Sequence, residues 1–251
     1  NSLKDFYSKY DMNSLLKRMT INTPSKHEDI HFDIVEKIPE ISEGSAVVAG
    51  LYGNNYHKAI ILGYAIYNKN QSIFISMENA LKNEKLKKYS YNIKSQILAY
   101  KWNGIEIKGM NFDLQLATYI LNPSLKDEIK YICEYYDYEN IQYEEEVYGK
   151  GAKKHIPEES VYALYIVAQA KAIYELKDKA IEKLQKEEQY DLYENIELPI
   201  TYILAGMEYQ GAKIDVDILQ TLDKEFNEEI QTIEEDIYTL AGEKFNIASP
   251  K

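Results

Sequence analysis

The chain has 251 residues, 45% of them hydrophobic, and 41 acids against 29 Lys and Arg give a formal net charge of −12. This apolar content supports a full core and argues against disorder, while the charge excludes a surface that grips a nucleic-acid backbone over its whole extent. Cys133 is the only cysteine, which excludes an internal disulfide and a thiolate zinc cluster, and no apolar run approaches the ~20 residues of a membrane span.

Residues 3–19 place Leu3, Phe6, Tyr7, Tyr10, Leu15 and Leu16 on or near one face of a short helix. This polar, amphipathic start lacks the apolar segment of a secretory signal, so a cytoplasmic protein is expected. A polar linker with Pro24, Lys26, His27, Glu28 and Asp29 follows, and the partial alternation of residues 31–41 fits an edge strand. From Ser45 to Met77 there is no Asp or Glu. Three strands fall in this acid-free run, at Ala46–Leu51, Ala59–Tyr67 and Ser72–Ser76. Their connectors, Gly53-Asn54-Asn55 and Asn68-Lys69-Asn70, are turn sequences that suit an antiparallel meander.

Helices are predicted over 78–87 and 93–103, then a short strand at Ile105–Lys108. Trp102 lies in this neighbourhood and is assigned to the core. Asp113 is placed to cap a helix over 114–121, which Asn122-Pro123 stops, and a further helix is expected over 125–136. Glu144–Lys154, with Gly149 and Gly151, is read as an exposed loop. Pro157-Glu158-Glu159 opens a long helix to about Glu188. Another helix covers Asp191 to Tyr209, with Pro199 as a kink or start, and Gly211 ends it. A strand at Ala212–Ile214 and a helix over 216–241 closed by Gly242 complete the pattern. The last helix lines up Leu219, Leu222, Phe226, Ile230, Ile233 and Ile237 on a face that needs a partner, opposite a solvated acidic face.

Four stretches now resemble one family in its own order. They are YKWNGIEIKGMNFDLQLATYILNP (100–123), EEVYGKGAKKHIPEE (145–159), ELPITYILAGMEYQGAKID (197–215) and IYTLAGEKFNIASPK (237–251). Together they are similar to bacterial DNA polymerase I of family A, across the 3′–5′ exonuclease-type domain and the start of the thumb. The resemblance implies an α/β fold: a ribonuclease H-like (DnaQ-type exonuclease) mixed sheet flanked by helices, followed by a helical extension. It implies three parts: an N-terminal helix and linker over 1–29, the exonuclease-like domain over 30–188, and the base of the thumb over 189–251. It further implies a fragment whose parent is a monomeric, nucleoid-associated polymerase. The palm, fingers and rest of the thumb would be this segment's partners, primer-template DNA would be bound through the parent, and Mg²⁺ would be used in the polymerase domain.

Active members of this family hold two divalent metals with four carboxylates, because ~+4 of charge needs anionic oxygen ligands. Two come from an Asp-x-Glu on the first strand, one from a helix after the third strand, and one from a Tyr-x-x-x-Asp on a later helix. Matching Leu62-Gly63 puts the first pair at Val48 and Gly50, matching Ile97-Leu98 puts the helix ligand at Lys94, and matching Ala163–Leu176 puts the last motif at Tyr165 and Gln169. Tyr165 is retained, all four ligand positions are non-acidic, and Lys94 repels a cation. The expectation is a vestigial domain with no catalytic or metal-binding residues and no cofactor of its own, supporting the polymerase domain.

Two rival readings remain open at this level. One is an active nuclease with a rearranged site built from Asp113 and Glu144–Glu146. The other is a non-catalytic module that docks single-stranded DNA or a replication partner through Lys82, Lys85, Lys87, Lys88, Lys94 and Lys101; Arg18 is the only arginine, which leaves few bidentate phosphate contacts. His57 and His155 lack a second ligand nearby and are read as structural or exposed. Gly149-Lys150-Gly151 with Lys153 and Lys154 lacks the spacing of a phosphate-binding loop.

Overall fold

The acid-free run builds the centre of a sheet. The computed structural model describes residues 30–36, 44–53, 55–75 and 87–249. Within them, strands β1 (Asp33–Val35), β2 (Ser45–Tyr52), β3 (Ile60–Asn68), β4 (Gln71–Ile75), β5 (Lys88–Ser90) and β6 (Met110–Asp113) form one mixed sheet in the order β1-β4-β3-β2-β5-β6. β2, β3 and β4 make the predicted antiparallel meander. The pairs β1–β4, β2–β5 and β5–β6 are parallel. β2 is central and covered on both faces, so Ala46 to Ala49 are all at most 2% exposed. A carboxylate on either face would lie in the core away from water, which is the physical counterpart of the missing acids.

Around the sheet lie α1 (Ile93–Trp102), α2 (Leu114–Leu121), α3 (Ile129–Tyr135), α4 (Glu144–Tyr148), α5 (Glu159–Lys186), the short α6 (Tyr190–Leu192) and α7 (Leu198–Gln210), and α8 (Val216–Ala241) follows in the chain. α5 packs along β2, β3 and β4 and buries Ala163, Ile166, Val167, Ala170, Ile173 and Leu176. A π-helical turn, Tyr193–Glu197, immediately precedes α7. Pro199 has no N–H to complete the usual ladder there, and the widened turn absorbs the mismatch, so the predicted kink takes this form.

Three local expectations are corrected, and one strand is added. Ile105 and Ile107 are buried at 5% and 7% and alternate like a strand, yet residues 105–108 join no ladder. The strand lies at Met110–Asp113 instead, and the Lys88 ammonium donates to the Lys108 carbonyl at 2.7 Å. β5 pairs with both β2 and β6 but has only three residues, too few for a sequence pattern. Glu144–Tyr148 is a helix, and it buries Val147 and Tyr148; the Tyr148 ring packs against Tyr52 and Tyr165 with centroids 5.5 and 5.9 Å away. Ala212–Ile214 is exposed and joins no ladder. The predicted helices over 3–19 and 78–87, and the linker, fall wholly or almost wholly outside the described residues.

The chain divides into two units, the first ending at Tyr209 and the second beginning at Gln210. The second unit consists mainly of α8, which Asp215 caps by accepting from the N–H groups of Asp217 and Ile218. Gly242, at φ 76°, closes it in the left-handed conformation that glycine adopts without a Cβ penalty. Leu219, Leu222, Phe226, Ile230 and Ile233 are exposed along it. Among the described residues, no helix is long and apolar enough to cross a membrane.

Candidate functional site

Val48 and Gly50 stand two apart on β2 and therefore share a face. Gly50 opposes Gly63 across the β2–β3 ladder. A Cβ at Gly50 would run into the Ile166 side chain of α5, meeting its Cγ1 at 2.7 Å and its Cδ1 closer still. The volume a longer side chain would need at this position is therefore filled by isoleucine. On the same helix Tyr165 is buried at 4% exposure. Burial pushes its phenol far up, and the hydrogen bond with Gln169 opposes that shift. Gly50 and Ile166 thus meet at the β2–α5 contact, and Tyr165 and Gln169 lie on the same helix.

Asp113 has a structural role at two helix ends. Its carboxylate accepts from the backbone N–H of Asn92 (2.9 Å) and Ile93 (2.7 Å) at the start of α1, and from Gln115 (3.0 Å) and Leu116 (3.3 Å) at the start of α2. Burial pushes this carboxyl up, and the four donors pull it down. All four partners are donors, an arrangement that suits the ionised form. The Asp113 backbone N–H in turn donates to the buried Tyr193 hydroxyl at 2.8 Å, which ties the π-helical turn to β6.

Lys94, in the first turn of α1, points to α7. Its ammonium pairs with Glu208 and donates to the Tyr56 hydroxyl at 3.3 Å. Tyr56 donates to the other Glu208 oxygen at 2.8 Å, and His57 Nε2 lies 3.4 Å from that oxygen. The Glu208 contact raises Lys94 above the ordinary lysine value, and Lys94 lowers Glu208 below the ordinary carboxylate value. Trp102 is 50% exposed, contrary to its predicted core position. It sits at the last turn of α1, donates its indole N–H to His57 Nδ1 at 3.2 Å and packs against Tyr209 with centroids 4.8 Å apart. Tyr56 and Glu208 were not among the predicted site residues. Glu208 had a signal, as the only charged residue of α7.

The other candidate groups are also engaged. Glu144 pairs with Lys154 and Glu145 with Lys150, both at 2.9 Å, and Glu146 accepts from the Tyr143 N–H at 2.9 Å. His155 Nδ1 lies 3.0 Å from the Lys153 carbonyl. Of the proposed lysine patch, Lys82 and Lys85 lie outside the described residues, Lys87 is exposed, Lys88 is buried and Lys101 sits 5.1 Å from the Tyr209 ring centroid. Among the described residues, no three His, Cys, Asp or Glu side chains cluster to hold a metal ion. A cavity of about 440 Å³ between α2 and α7 is lined by aliphatic side chains, including Leu116, Leu125, Ile200 and Leu204, and by polar ones, including Lys94 and Asp113. The residues at the implied ligand positions do not fit a pair of divalent cations.

Comparison with known proteins places this geometry. The ribonuclease H-like domain family of DNA polymerase I matches residues 47–176, just over half of the chain. The chain is 35% identical to DNA polymerase I of Geobacillus stearothermophilus and 35% identical to that of Bacillus subtilis (strain 168), in each case over 95% of this chain and 29% of the relative. It therefore spans about three-tenths of the length of these curated relatives. Among solved structures, the POL domain of Pol1 from M. smegmatis, in complex with DNA primer-template and dNTP, matches with a TM-score of 0.62 and 21% identity over 82% of this chain and 35% of that one. Brucella melitensis NrnC matches with a TM-score of 0.56 and 14% identity over 73% of this chain and 96% of that one. These two likenesses bear on the fold, and the sequence match carries the family. The chain belongs to the ribonuclease H-like domain family of DNA polymerase I.

Proposed function

We propose that this chain is a segment of a template-directed DNA polymerase in which the exonuclease-type domain performs no chemistry and supports the polymerase domain. The parent adds deoxynucleotides to a primer end in the cytoplasm with Mg²⁺ bound outside this segment, and it meets primer-template DNA there. The observation that carries the reading is the filling of the Gly50 side-chain space by Ile166. It is supported by Lys94, which stands at an implied ligand position and pairs with Glu208. The three acids at Glu144–Glu146 and Asp113 all have structural partners, which weighs against a rearranged metal site.

The test is incubation of the purified chain with 3′-labelled single-stranded DNA and Mg²⁺ or Mn²⁺. The expected result is an intact label at all times. Metal-dependent shortening that co-purifies with the chain and is lost in Glu144→Gln/Glu145→Gln overturns the proposal.

A further inference from the structure

We infer that the position implied for the helix metal ligand serves as a mechanical anchor: Lys94, with Tyr56, His57 and Trp102, fastens Glu208 and Tyr209 at the end of α7. The anchor fixes the point from which the chain continues at Gln210. This inference concerns what Lys94 does, and it stands whether or not the domain cleaves DNA.

Sequence already sets up the need. α7 carries Glu208 as its only charged side chain among apolar neighbours, and a part-shielded carboxylate requires partners. The partners come from far away in sequence. Lys94 is 114 residues distant and Tyr56 is 152, so neither contact is a by-product of local helix geometry. The Tyr56 side follows from its own turn: Asn55 caps the 3₁₀ turn Tyr56–Lys58 by accepting from the His57 N–H at 2.9 Å. His57 accepts at Nδ1 from Trp102, which places its proton on Nε2, facing Glu208.

α1 reaches α7 from both of its ends. Lys94 in its first turn binds Glu208, while Lys101 and Trp102 in its last turn cover the Tyr209 ring. The two groups of contacts arise about 12 Å apart along α1, so they restrain direction as well as position. Side-chain exposure of 30% at both Lys94 and Glu208 shields the pair more than a fully exposed one. Sharing of Glu208 among three partners lowers the ordering cost of each bond.

The test is hydrogen exchange of the chain, followed by mass spectrometry, in Lys94→Met, Glu208→Gln, their double variant and the reversed pair Lys94→Glu/Glu208→Lys. Each single substitution is expected to speed exchange of amides in 198–210 about fivefold. The double variant should be no faster than the faster single, and the reversed pair should regain most protection. Amides in 160–176 of α5 should exchange as in the parent chain. Lys94→Arg, which retains the charge, should keep α7 protected. Unchanged exchange in both singles, a multiplicative effect in the double, or equal acceleration in α5 overturns the inference. The DNA-trimming assay reads a different property, so failure of one reading is distinguishable from failure of the other.

Discussion

Replacing Gly50 with alanine should be destabilising through a single named neighbour. The added Cβ would lie 2.7 Å from Ile166 Cγ1 and nearer to Cδ1, against ~3.5–4.0 Å for ordinary carbon contacts. Ile166 is 0% exposed and Val48 is 1% exposed, so the contact is enclosed by the core on both sides. Overpacking of this kind costs about 1–3 kcal/mol. Ile166→Val removes Cδ1 and alone should cost about 0.5–1.5 kcal/mol. Combined with Gly50→Ala it should recover part of the loss, leaving a favourable coupling of about 1 kcal/mol. Urea unfolding of the parent, the two singles and the double measures this directly. Strict additivity would refute the claim that Ile166 occupies the Gly50 side-chain space. Gly50→Glu should be worse than Gly50→Ala by several kcal/mol, since it also places a carboxylate in the core.

Three further outcomes are expected. Asp113→Ala removes the acceptor for two helix starts and should cost about 2–4 kcal/mol in urea unfolding, with Asp113→Asn in between. Tyr193→Phe leaves the buried Asp113 N–H without its hydroxyl partner and should cost about 1–3 kcal/mol in the same assay. The Lys94–Glu208 pair should show a two-sided pH dependence. Glu208 is lowered in the fold, so its contribution is present above the ordinary carboxylate range and is lost as pH falls through its lowered value. Lys94 is raised, so its contribution is present below the ordinary lysine range and is lost as pH rises through its raised value. The difference in Tm between the parent chain and Lys94→Met should therefore be widest near neutrality and shrink at both extremes; a difference that is flat with pH refutes it.

Local features were readable in the sequence because their causes are local. Asp113 caps the start of α2 and Gly242 closes α8, each within a few residues of itself and as predicted, although Asp113 also reaches the start of α1. The strands of the meander were readable because β-branched and aromatic runs between turn residues match a buried sheet. Ile105 and Ile107 were misread for a related reason: alternation reports burial, and here burial comes without a ladder. Trp102 was misread because residue type favours the core, while its actual place depends on His57 and Tyr209.

The sequence by itself determined the family, the mixed α/β fold and the non-acidic residues at Val48, Gly50, Lys94 and Gln169, since these follow from residue identity in order along the chain. Only the tertiary structure decided what surrounds Gly50 and Lys94. Ile166 enters the Gly50 space across a helix–sheet contact, and Lys94 meets a glutamate 114 residues away. Such interactions depend on distance in space, and the chain sets that distance only after it has folded.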